Sequence, residues 1–202
     1  MNRQDILDQA LTILDQYGFA DLSMRRLATA LGVQPGALYW HFANKQTLLS
    51  AVAEVILADV PTGGICDTGS WQDGVREWAT SLHHALLAHR DGAELVASVL
   101  ALRPEHVDPA RIATAILHRA GLPALQAEAA AAALVHYVVG HAVDAQNRAQ
   151  ARLLGVQEAV RDGGEDWAGD SRFRYGLDLF IDGLDRRLTE RTPPCSTVSA
   201  LL

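Results

Sequence analysis

The segment Leu22 to Lys45, LSMRRLATALGVQPGALYWHFANK, leaves little choice of fold: it reads as two short helices joined by a glycine turn. Ser23 stands where a hydroxyl can cap a helix start, Leu27, Ala28 and Leu31 then share one face, and Gly32 takes the left-handed position that ends a helix. Pro35 suits the first turn of a second helix, where its missing N–H would be unpaired anyway. The spacing predicts that this helix opens at Gln34 and Pro35 and runs to Phe42, with Leu38 and Phe42 inward. Gln34, Pro35, Ala37, Tyr39, Trp40 and His41 are left facing outward, followed by Lys45 on a third helix capped by Asn44. A helix-turn-helix with a reading surface follows.

The charges agree with a nucleic-acid partner. From Leu22 to Lys45 they are Arg25, Arg26 and Lys45, with no carboxylate, although the chain has a net charge of -7. Lys45 is the only lysine. A local cationic surface suits phosphate contact, because each neutralised phosphate releases counterions. Arg25 can grip a guanine with two N–H groups, whereas Tyr39, His41 and Lys45 have the chemistry of phosphate clamps. The acidic total does not argue against this, since most of the excess carboxylate lies beyond residue 50.

The remaining segments have helical periodicity, which makes the expected fold class all-α. Asn2 and Asp5 have capping-box spacing ahead of a helix to Tyr17, with Ile6, Ala10, Leu14 and Tyr17 on one stripe. A helix from Lys45 to about Asp59 links this head to a body, and Pro61 to Ser70 is a turn-rich boundary. The expected domains are a helix-turn-helix head over 1–46, a body over 47–191 whose residues 47–59 form the connecting helix, and a disordered tail over 192–202. Body helices are expected at Trp71 to His89, with Ser70 and Asp73 at capping-box spacing, at Ala93 to Leu102, from Asp108-Pro109 to Gly121, from Pro123 to about Gly155, and at Ser171 to Thr189.

Ala129 to Val143 carries no charge around the helix, and a helix apolar all round is buried all round. In so small a body that requires a second subunit. The 123–154 helix and the 171–189 helix, with its stripe of Phe173, Leu177, Phe180, Leu184 and Leu188 and with Gly176 and Gly183 seven apart, therefore predict an isologous homodimer. That uncharged run is too short to span a bilayer and no signal peptide opens the chain, so a cytoplasmic protein with no membrane partner is expected. Cys66 and Cys195 form neither a disulfide framework nor a metal pattern.

GVQPGALYWHFANKQTLL, residues 32–49, resembles the DNA-binding signature of the tetracycline-repressor family, with its Gly-Val turn, Leu-Tyr-x-His-Phe and Asn-Lys-x-x-Leu-Leu in order. The body resembles the effector domain of the family's tetracycline-binding members at Trp71-Gln72-Asp73, at ALLAHRDGA over 85–93, at Arg103-Pro104 and at YGLDLFIDGL over 175–184. The resemblance implies a homodimer that binds a near-palindromic double-stranded DNA operator and lets go when a small molecule enters each body. In those members drug and magnesium displace the short helix after His-Arg-Asp-Gly and spread the heads. Matched position by position, Pro61 replaces a histidine, Trp78 an asparagine, Ala113 a glutamine and Val96 the magnesium-ligating histidine, while Asp144 keeps a carboxylate. A valine cannot hold magnesium, so the effector is not expected to be a tetracycline–magnesium chelate. The expected pocket is apolar, lined by Trp78, Leu82, Val96, Leu100, Ile116 and Leu117, with Arg103 and Asp144 as polar groups, and fits an aromatic or polycyclic ligand. Pro35, Gly36 and Ala37 differ from the reading residues of those members, so their operator does not carry over.

No catalytic arrangement and no cofactor motif is legible, and no histidine pair has the i, i+4 spacing that grips zinc. His141 and Asp144 share a helix face and read as half a metal site or as a buried hydrogen-bonded pair. Two other function classes stay open at this level: a helix-turn-helix protein that contacts an acidic protein surface, and an α-helical enzyme with an unrecognised site.

Overall fold

The computed structural model describes residues 1–61, 69–102, 106–155 and 169–191. Among them the regular structure is helical: α1 (Arg3–Tyr17), a single 3-10 turn (Phe19–Asp21), α2 (Met24–Ala30), α3 (Pro35–Tyr39), α4 (Lys45–Ile56), α5 (Trp71–Leu87), α6 (Gly92–Leu100), α7 (Ala110–Arg119), α8 (Ala124–Leu153) and α9 (Asp170–Arg191). The helix starts lie where side-chain chemistry places them. Asn2 and Asp5 close a reciprocal capping box on α1, Ser23 Oγ accepts from Arg26 N at 3.2 Å, and Asn44 with Thr47 boxes the start of α4. Gly32, at a φ of 68°, turns the chain out of α2 in the left-handed region that a side chain would resist. At α5 only half of the expected box forms: Ser70 Oγ accepts from Asp73 N, and the Asp73 carboxylate takes the Ser70 hydroxyl proton instead of its backbone N–H.

Several ends differ from the sequence expectation. α3 stops at Tyr39 instead of Phe42, because His41 N and Phe42 N both bond to Leu38 O and this tightened turn swings the Phe42 ring into the head core. α4 stops at Ile56 instead of Asp59, where shorter-range bonds from Ala58 N to Val55 O and from Val60 N to Leu57 O bring Val60 inward. α5 ends at Leu87 and α6 begins at Gly92.

In the body α7 lies along α8, α5 crosses α8, α9 covers α5 and α8, and α6 lies between α8 and α4. One core runs from head to body, from Ile6, Leu14, Leu27 and Leu38 through Leu48 and Val52 to Trp78, Leu82, Val96 and Leu117. On α9 the buried stripe is Phe173, Leu177 and Ile181, with Leu184 and Leu188 half-buried. Ile181 thus takes the inward place expected of Phe180, which is 36% exposed, because the helix turns the residue after Phe180 toward α8. On α8 the inner face buries Ala127, Ala131, Leu134, Val135, Val138 and Ala142, while Ala129, Ala132, Ala133, His136 and Gly140 are exposed in the single chain. Cys66, Cys195, Arg103 and the expected tail lie outside the described residues.

Candidate DNA-reading surface and effector cavity

The reading surface is built on α2, α3 and the first turn of α4. Pro35 opens α3 with Gln34 as its N-cap, and the Gln34 side chain makes no capping bond and is left outward. Leu38, fully buried, and Phe42 pin this short helix to the head core. Gln34, Pro35, Tyr39 and His41 are exposed, Ala37 is half-buried, and Trp40 is 91% exposed. A bare indole on a carboxylate-free face is costly in water unless it has something to cover.

The cations divide. Arg25 is exposed on the first turn of α2 and makes no ion pair among the described residues. Arg26 is committed within the head: its Nη1 donates to Asp21 at 2.5 Å and its guanidinium lies 3.8 Å from the centre of the Tyr17 ring. Exposed Lys45 reaches out beside Phe19, with Nζ 5.8 Å from the ring centre. The predicted reading residues are thus exposed apart from half-buried Ala37, and neither Arg25 nor Lys45 makes an ion pair among the described residues.

Behind the head, the body holds a cavity of about 680 Å³ between α6 (Ala97, Leu100, Ala101), the stretch 107–110 and α8 (Ala132, Val135, His136, Val139). Of the expected pocket residues that the structure describes, only Leu100 lines it. Trp78, Leu82, Val96 and Leu117 have no exposed surface and stand behind the wall as core, and the Trp78 indole N–H donates to Pro109 O at 3.0 Å, bracing that wall. Ile116 is buried and faces a smaller cavity at the start of α5. Asp144 is exposed on α8 and pairs with Arg148. A second cavity of about 320 Å³, between the end of α4 and the start of α7, shares Val107, Asp108 and Pro109 with the first. Asp108-Pro109 reads in the sequence only as a helix start, so its place between two cavities has no local signal.

His141 does not pair with Asp144, so the hydrogen-bonded pair expected there does not form. His141 Nδ1 lies 3.0 Å from His83 Nε2, and Phe173 stacks on the His83 ring at 4.1 Å. Burial first, and repulsion from His141 second, push the His83 imidazole down to about 4; burial, then Arg148, pull His141 down as well. Among the described residues no group of three metal-ligating side chains comes together.

Two family models match the chain: bacterial regulatory proteins of the tetR family over residues 6–52, and the tetracyclin repressor-like C-terminal domain over residues 65–165. The chain is 35% identical to the class C tetracycline repressor protein of Escherichia coli, over 94% of this chain and 93% of that one. Its fold matches the crystal structure of BioQ with its double-stranded DNA operator, at a TM-score of 0.76 and 39% identity over 91% of this chain and 98% of that one. It also matches the Streptomyces coelicolor protein ActR in complex with (S)-DNPA, at a TM-score of 0.75 and 30% identity over 93% of this chain and 98% of that one. The family consists of transcriptional regulators, not enzymes. The chain belongs to the tetR family of bacterial regulatory proteins.

Proposed function

We propose that the chain is a homodimeric repressor whose two α3 helices enter successive major grooves of a near-palindromic operator and which a small, largely apolar effector releases. The observation that carries this reading is the outward, carboxylate-free set of Arg25, Gln34, Pro35, Ala37, Tyr39, Trp40, His41 and Lys45 on a packed helical head. BioQ, with its operator, supports the DNA half, and ActR, with a small molecule bound, supports the effector half. Residues 1–46 act as the reading head and 47–191 as the sensing and pairing body. Two copies meet through the exposed small-residue face of α8 and the outer side of α9. Such a regulator works where the DNA is, in the cytoplasm.

The effector enters the cavity between α6 and α8. Its volume of about 680 Å³ suits a drug-sized molecule, and apolar walls with Asp108 and His136 as polar points favour an aromatic or polycyclic ligand. A tetracycline–magnesium chelate is not that ligand, because Val96 offers no metal donor and Trp78 fills the space behind the wall. Leu100 is shared by this cavity and the pocket expected from the sequence, whereas Asp144 is paired with Arg148 outside its lining. Effector and operator must weaken each other reciprocally.

The deciding experiment is a fluorescence-anisotropy titration against the DNA upstream of the protein's own gene and against an unrelated duplex of equal length, at two salt concentrations. Tight, selective binding that weakens with salt is expected. If a random-sequence selection also yields no preferred duplex, the reading is wrong.

A further inference from the structure

The turn between α5 and α6 holds the head, and a side chain from α8 makes this possible. Asp91 precedes α6, where a carboxylate ordinarily satisfies the first free N–H groups of a helix. Its backbone is left-handed, at a φ of 54°, and its side chain makes no capping bond. The carboxylate turns away and accepts from Phe19 N, in the head, at 3.0 Å. Its neighbours hold the same region: His89 Nδ1 lies 3.1 Å from the Asp15 carboxylate, Arg90 N donates to Asp15 at 3.1 Å, and Arg90 Nη1 donates to Gln16 O at 3.1 Å.

The helix ends left open by this arrangement are closed by Gln146. Its Oε1 accepts from Ala93 N, in the first turn of α6, at 3.2 Å. Its Nε2 donates to Leu86 O at 3.1 Å and to His89 O at 2.7 Å, at the end of α5. One amide therefore caps two helix ends from a third helix. That third helix also forms a wall of the large cavity and carries the exposed small-residue face.

We infer that Gln146 is a positioning residue for operator binding: its amide braces the α5–α6 turn against α8 and so sets the spacing of the two heads. The inference rests on the homodimeric repressor reading. A primary amide of this reach can donate twice and accept; a glutamate can only accept, and a methionine fills the same volume with neither function. Without the brace the turn still grips the head, but it loses its hydrogen bonds to α8 and is held there by packing alone.

The test uses a duplex selected from a random library by the wild-type protein, together with versions whose centre is longer or shorter by a base pair. Gln146→Met keeps volume and helix propensity. It is expected to bind the selected duplex about tenfold more weakly while binding the shifted duplexes nearly as wild type does, so that discrimination by spacing flattens. Asp15→Ala, on the head side of the same connection, is expected to flatten it likewise, and the double variant to be no flatter than either, since both act through one turn. Gln146→Asn keeps the amide but shortens its reach, and serves if the methionine variant does not fold; the same flattening is expected. An equal loss at every spacing, or a wild-type profile in both Gln146 variants, overturns the brace and leaves the repressor reading standing. Failure of the wild type to select any duplex overturns both.

Discussion

Lys45 and Arg25 are both exposed cations of the head, yet their chemistry separates their roles. Lys45, a point charge beside Phe19, has the chemistry of a phosphate clamp, so Lys45→Ala should weaken binding to all duplexes about equally and lower the salt slope by about one. Arg25 carries a planar fork that can pair with a guanine edge, so Arg25→Ala should cost roughly 1–3 kcal/mol on the preferred duplex and little on others. Anisotropy titrations at several salt concentrations separate the two; equal behaviour of both variants would remove the distinction. In the body the decisive residues are His83 and His141. Both imidazoles are held below the usual 6.5, His83 at about 4, so the fold keeps them neutral where the unfolded chain takes up protons. The contribution of His83 is therefore complete above about pH 6.5 and is lost as pH drops toward 4, by up to about 1.4 kcal/mol per pH unit, and His141 acts in the same direction. Urea unfolding at pH 7.5 and pH 5 measures this, and His83→Phe should make the dependence shallower. An unchanged slope in that variant would assign the effect to other groups.

At the scale of elements, α9 is held to α8 by a contact that depends on the lack of a side chain. A Cβ at Gly176 would collide with the Tyr137 phenol, whose hydroxyl donates to Phe173 O at 2.7 Å. Gly176→Ala is expected to displace Tyr137 and destabilise the body by about 1–3 kcal/mol, with α1 to α4 unaffected, a pattern that amide hydrogen exchange can localise. Wild-type protection across α9 in the variant would contradict it. A Cβ at Gly183 would meet nothing within 4 Å among the described residues. The two glycines, seven apart and alike in sequence, thus have different neighbours. α4 carries the head on a helix with seven buried residues, and the α5–α6 turn adds a second attachment, through Asp15 and Gln16 of α1 and through Phe19 N. A head held at two points is limited in how it can tilt.

For the whole molecule, the exposed face of α8 is the proposed place for a second copy, and among the described residues nothing lies within 4 Å of a Cβ built at Gly140. Gly140→Arg should leave the monomer folded, since it replaces glycine in a helix interior, yet put a charge into the dimer contact. Sedimentation should then report a monomer and operator affinity should collapse; a dimeric variant would place the contact elsewhere. Much of this molecule was legible from one chain. Caps, turns and period determined the helices of the head, because those signals are local and Asn2, Ser23, Gly32, Pro35 and Asn44 act within a turn of themselves. The reading surface was legible for the same reason: inward Leu38 and Phe42 leave the other side chains of α3 facing out. The body's interior was not. Periodicity says that Trp78, Leu82 and Val96 face inward, but not whether inward means a cavity wall or a filled core, and here they are core while Leu100, Asp108 and His136 line the space. Nor could spacing pair His141 with His83, 58 residues away, over Asp144 one turn along, or bring Gln146 to the ends of α5 and α6. The sequence by itself determined the helices of the head and which side chains of α3 face out, because local hydrogen bonding and side-chain period decide them. Only the tertiary structure decided where the body is hollow and what ties it to the head, because those follow from how separate helices pack.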